Sequence, residues 1–284
     1  MAGVLQLLSK LSRSGRFGLF LFALLLFTAL FAPLLSPHDP YQQSISNRLI
    51  PPVWMERGNS SYPLGTDQLG RDNLSRLIYG ARISLLVGSA TVIIAGFIGV
   101  VLGLLAGYFG GRTDVIITTI IDAAWSFPFI LLALIIAAAL GSSLNNLIIA
   151  LVATSWAPFA RIVRGEVVAL REREYIEAAR ATGVGAMRII SKHVLPNVAS
   201  SILVIASIEF GRAILRESFL SFLGLGVPPA VPSWGGILSE ARVYIFTMGW
   251  LVIFPGVAIY LATLGVNLFG DGLRDYFDPK LRGR

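Results

Sequence analysis

Apolar residues in this chain fall into long runs separated by polar intervals. A helix that crosses a bilayer needs about 20 mostly apolar residues. Six stretches approach that length and predict six spans: Phe17–Leu35, Ile83–Gly111, Val115–Leu140, Asn145–Ala160, Val198–Leu223 and Tyr244–Phe269. The third is interrupted only by Asp122 and carries Pro128, which predicts a kink. The first run is too long for a signal peptide and lacks a small-residue cleavage site after it, so it reads as a retained helix. Between the first two spans lies a long interval, 37–82, rich in Pro, Ser, Asn and Gly, which reads as an extracytoplasmic segment laid over the mouth of the bundle. The chain thus divides into 1–82, an N-terminal helix plus this loop, and 83–284, the main transmembrane unit. The fold expected is all-α: six transmembrane helices with both termini cytoplasmic.

Charge distribution fixes that orientation. With the N-terminus inside, fifteen of the 23 Lys and Arg residues fall on the cytoplasmic side, six on the outer side, and two, Arg212 and Arg216, inside the fifth span. Composition agrees with a membrane protein: 55% hydrophobic, 14% charged, mean hydropathy +0.74. The net charge of +7 is accounted for by basic cytoplasmic loops near anionic lipid, and no soluble basic face is available for nucleic acid. Cysteine is absent, which excludes disulfides and thiolate chemistry.

Three features within the spans carry candidate chemistry. Ala95, Gly99, Gly103 and Gly107 repeat at a spacing of four and cut a groove along the second helix. It is either a seam between moving parts or static bundle packing. Asp122 is costly in lipid and faces protein or water, as a proton relay or as a hydrogen-bonded structural group. In the fifth span Glu209, Arg212 and Arg216 share one face, with Glu217 beside it. They form either the polar wall of a transport pathway or a buried cluster that fixes packing. After this span a Gly- and Pro-rich stretch forces a turn, and Trp234 fits a membrane interface.

The interval 161–197 is Arg-rich and helical in pattern, and it lies between two spans on the cytoplasmic side. Glu177-Ala178-Ala179 is followed by Gly183, which suits a left-handed helix end, and by Leu195-Pro196, where the proline stops a second short helix. Two short helices about a glycine make a rigid knob that a soluble partner can grip. An ordinary amphipathic interfacial loop is the alternative.

Four segments together resemble one family: Leu64-Gly65-Thr66-Asp67 through Gly80-Ala81-Arg82; Gly107 to Gly111 with Asp114 and Asp122; the Glu177 loop; and Ser221 to Gly226 with Gly270-Asp271-Gly272-Leu273-Arg274-Asp275 and Asp278-Pro279. In this order they are similar to the second permease subunit of the dipeptide/oligopeptide/nickel class of ABC importers. His193 stands where the general loop pattern has Ile, as in the peptide branch. The resemblance implies a type I importer permease in a bacterial or archaeal cytoplasmic membrane. It implies a homologous second permease subunit, one or two cytoplasmic ATPase subunits on the Glu177 loop, and an extracytoplasmic solute-binding protein. ATP and Mg would sit on the ATPases, with no cofactor or metal on this chain.

Independent of any resemblance, no Lys follows a Gly, so the chain has no phosphate-binding loop of its own, and its two histidines make no zinc motif. The leading function is import of short peptides; nickel, glutathione or opine cargo fits the same features. A proton-coupled carrier using Asp122 and Glu209, or a scaffold without transport, are the readings from other classes; no internal repeat supports the carrier.

Overall fold

The computed structural model describes residues 11–277, which leaves Lys10, Asp278, Pro279, Lys280, Arg282 and Arg284 of the readings above outside the described residues. Its elements are helical: α1 Arg13–Leu30, α2 Ala32–Leu35, α3 Asn73–Phe109, α4 Gly111–Ser126, α5 Phe129–Leu140, α6 Leu144–Arg171, α7 Glu174–Ala181, α8 Ala186–Ile189, α9 Leu195–Phe222, α10 Trp234–Ala241 and α11 Trp250–Phe277. Five helices are long and apolar enough to cross a membrane, and α4 with α5 makes a sixth if the bent pair is one span.

The order of spans follows the hydropathy pattern, and the departures have local causes. α3 begins ten residues before the expected Ile83, because Asp72 caps it by accepting from Leu74 N and Ser75 N. Arg76 and Arg82 therefore belong to a helix, and the division drawn at residue 82 falls inside it. The kink expected at Pro128 is a full break: α4 and α5 meet at 85°. Proline disfavours helical backbone in the residue before it, and Phe127 is extended at φ −81°, ψ 127°. α6 does not end near Ala160; it accommodates Pro158 and runs on to Arg171. Pro196 does not stop a helix either. Helical backbone runs unbroken from Ala186 to Phe222, and the N–H that Pro196 lacks falls just after a π-helical turn at Ile190–Val194 that joins α8 to α9. The last span starts at Trp250 rather than Tyr244, because α10 and a short 3₁₀ turn intervene.

Glycines set the closest approaches. A Cβ on Gly99 would lie 2.3 Å from Trp156 O, one on Gly103 2.7 Å from Ala160 O, and one on Gly107 2.6 Å from Val167 Cβ. The groove predicted on α3 is thus filled by the backbone of α6, with Ala95 fully buried on the same face.

On the outer side, the segment between α2 and α3 is held by a buried ionic cluster. Asp67 accepts from Arg71 Nε at 2.6 Å and from Arg76 Nη1, and Glu240 of α10 accepts from Arg76 Nη1 at 2.9 Å and from Arg71. Trp234 is not an interfacial anchor: it is 4% exposed and donates from Nε1 to Leu77 O.

Candidate functional site

The cytoplasmic knob is built from the end of α6, α7, α8 and the start of α9. Its underside is apolar: Ile176, Ile189 and Val194 pack with Val163 and Val167 of α6 and with Leu104 and Tyr108 of α3. α7 ends as the Gly183 reading expects. Gly183 has φ +81°, its N–H donates to Arg180 O at 2.9 Å, and Val184 N–H donates to Ala179 O at 3.1 Å. This pair of bonds is a Schellman cap, and it needs a left-handed residue between the helices.

The outer face of the knob presents Glu177 and Ala178, while Ala179 turns inward against the apolar underside. Met187 on α8 is 70% exposed, and Tyr175 on α7 45%. Leu195 and Pro196 are exposed on the first turn of α9. A surface that mixes the carboxylates of Glu174 and Glu177 with Arg173, small residues and a few bare apolar side chains, set on a packed base, suits a soluble partner.

The knob is tied to the rest of the bundle by arginines. Arg180 lies 4.8 Å above the Tyr108 ring, Arg171 donates to Gly107 O at 3.2 Å, and Arg164 makes a two-pronged ion pair with Asp114 on α4. These links were not foreseen from the sequence. Asp114 lies in a recognisable motif, but its partner is fifty residues away on α6.

Among the charges within the spans, Asp122 receives Arg161 Nη2 at 2.5 Å, and both side chains are about half exposed. The same guanidinium lies 3.8 Å from the Trp125 ring centre. Glu209 is fully buried and accepts from Arg212 at 2.6 Å and from Arg216 at 3.4 Å; Arg216 also donates to Ser155 Oγ. Glu217 does not join them. It is buried separately and accepts from Ser221 Oγ at 2.7 Å and Ser218 Oγ at 3.2 Å.

Exposure separates the two arginines. The Arg212 side chain is 51% exposed and that of Arg216 23%, although both hold the same carboxylate. An exposed guanidinium ten residues from the outer end of α9 is near the middle of the bilayer. It is too costly against lipid, so this face meets protein or water.

Helices long and apolar enough to cross a membrane several times, together with a capped knob packed onto the bundle, define a multi-span membrane component. Comparison with known proteins supplies the family. Residues 99–283 match the binding-protein-dependent transport system inner membrane component, and residues 10–52 match the N-terminal transmembrane domain of oligopeptide transport permease C. The chain belongs to the binding-protein-dependent transport system inner membrane component family. It is 45% identical to a di/tripeptide transport system permease protein of Pseudomonas aeruginosa over 93% of this chain and 88% of that one. It is 44% identical to a dipeptide transport system permease protein of Alkalihalophilus pseudofirmus over 93% and 85%. A glutathione transport system permease protein of Pectobacterium atrosepticum is 44% identical over 92% and 86%. An inward-facing structure of the MetNI methionine ABC transporter shares the fold, with a TM-score of 0.56 at 20% identity, covering 72% of this chain and 97% of that chain. This chain is therefore a multi-pass permease subunit of the ABC importer kind, which works with ATPase and substrate-binding partners. Family membership displaces the proton-coupled carrier and the scaffold.

Proposed function

We propose that this chain is one permease of a heterodimeric pair that imports short peptides across a bacterial cytoplasmic membrane. A homologous permease covers the exposed Arg212 face, and one or two ATPase subunits hold the knob through Glu177, Ala178 and the Gly183 turn. ATP and Mg act on those ATPases; this chain channels and couples without chemistry of its own. An extracytoplasmic binding protein delivers cargo to the outer side, where the Asp67–Glu240 cluster gives it a rigid surface. The observation that carries the coupling is the construction of α7: an outer face open to solvent over a fully packed base. Such an element moves as a body, so force applied at Glu177 reaches α3 and α6 through Ile176, Tyr108 and Val167. Support for peptide cargo comes from the names of the most similar relatives, including the glutathione permease, whose named cargo is itself a small peptide.

The test is uptake by vesicles holding this chain with its co-expressed partners. Labelled dialanine is expected to enter when ATP is supplied, with competition by other dipeptides and not by nickel. Uptake of nickel and indifference to dipeptides would assign the chain to the metal branch.

A further inference from the structure

The GDGLRD segment at the end of α11 is the part of the sequence pattern that the coupling account leaves unused. Its glycines have a plain packing task. A Cβ on Gly270 would lie 2.1 Å from Ser207 Oγ on α9, and one on Gly272 2.7 Å from Gly15 Cα on α1. These contacts press the cytoplasmic end of α11 onto both neighbours and deliver Arg274, two residues further on, to the rim of a cavity.

That cavity measures about 490 Å³, within the range of about 300–1,000 Å³ common for small-molecule sites. It lies between the cytoplasmic ends of α6, α9 and α11. Its walls are mixed: Ile162, Ile208 and Phe277 are apolar, Ser200 and Ser201 carry hydroxyls, Glu166 a carboxylate and Arg274 a guanidinium. Glu166 is half-buried; its Oε1 takes the Ser201 hydroxyl, and no partner of Oε2 is found among the described residues. Ser201, Ile208 and Arg212 stand at spacings of seven and four on α9, so the cavity lies on the same stripe that exposes Arg212 higher in the bilayer.

One acid, one base, hydroxyls and apolar walls are the complement of a short peptide with free ends. We infer that this cavity is a product-side subsite, holding a short peptide by its ammonium at Glu166 and its carboxylate at Arg274 before release to the cytoplasm. This rests on the peptide reading above. It places a low-affinity site on the permease itself and makes the importer sensitive to peptide accumulated inside.

The experiment uses the complete importer in proteoliposomes, with the lumen standing for the cytoplasm. ATP is loaded inside with dialanine, N-acetyl-dialanine or dialanine amide, and uptake of labelled dialanine from outside is followed. Internal dialanine is expected to slow uptake. Acetylation or amidation should each weaken that inhibition about tenfold, the effect of losing one charge-assisted hydrogen bond. In Glu166→Gln, free and acetylated peptide should inhibit alike; in Arg274→Gln, free and amidated peptide should inhibit alike, with Arg274→Lys restoring the difference. The modified peptides probe the wild-type complex directly, so the inference stays exposed if a variant fails to assemble. Wild-type uptake that ignores internal peptide, or variants that keep both wild-type ratios, would overturn the subsite and leave the importer intact. No ATP-dependent dipeptide uptake in the wild type would bring down both.

Discussion

At the scale of single residues, two positions separate coupling from stability. Gly183 sits at φ +81° with open space where a Cβ would be. Gly183→Asp therefore clashes with nothing but places a side chain in a left-handed conformation, at a cost of about 1 kcal/mol. It also adds a carboxylate to the exposed knob. We expect normal membrane insertion and melting within a few degrees of wild type, with transport-coupled ATP hydrolysis largely lost. Unchanged uptake in this variant counts against the knob as the point of drive. Glu209 is the opposite case. It is fully buried and balances Arg212 and Arg216. Glu209→Ala leaves two guanidinium groups without that partner, a loss of roughly 3 kcal/mol or more. Detergent melting should fall sharply while the order of preferred peptides stays the same; a changed preference at normal melting temperature would make Glu209 a cargo-reading residue.

At the scale of elements, the α3–α6 seam and the outer ionic cluster yield the clearest expectations. Gly103→Ala drives a methyl against Ala160 O and Val163 Cβ and should cost about 1–3 kcal/mol. Gly256→Ala, on a part of α11 where a Cβ meets nothing, should hold or slightly raise stability. Paired melting curves decide whether the seam or glycine content in general sets stability. Glu240→Gln removes the charge that holds Arg71 and Arg76 from across the chain. Hydrogen exchange in 64–76 should rise, with the knob unaffected; unchanged exchange there would mean that Asp67 alone holds the segment.

What the sequence disclosed at this scale follows from range. Hydropathy, the small-residue spacing and the glycine after Glu177 are local signals, and they gave the spans, the groove and the turn. The start of α3 was obscured because Arg76 looked like a free outer charge; Glu240, which receives it, is 164 residues away. The break at Phe127 was underestimated, since a proline removes a hydrogen bond locally but only packing decides whether a helix bends or parts. Arg274 stands in a motif the sequence shows, but its meeting with Glu166 at one cavity gives no sequence signal, because three helices remote along the chain assemble it.

At the scale of the whole molecule, the exposed Arg212 and the exposed Glu177 are two ends of one arrangement. The first calls for protein or water inside the bilayer, the second for a soluble body beneath it. Between them Tyr108, Arg171 and Arg164 link the knob to α3 and α4. The central claim is that nucleotide turnover in a partner, acting on this knob, moves cargo through the bundle. The most direct measurement is dipeptide uptake into proteoliposomes containing the co-purified complex, with ATP, without nucleotide, and with ATP plus vanadate. We expect uptake only with ATP, abolished by vanadate. Equal uptake in all three conditions, from a preparation holding no ATPase subunit, would contradict it.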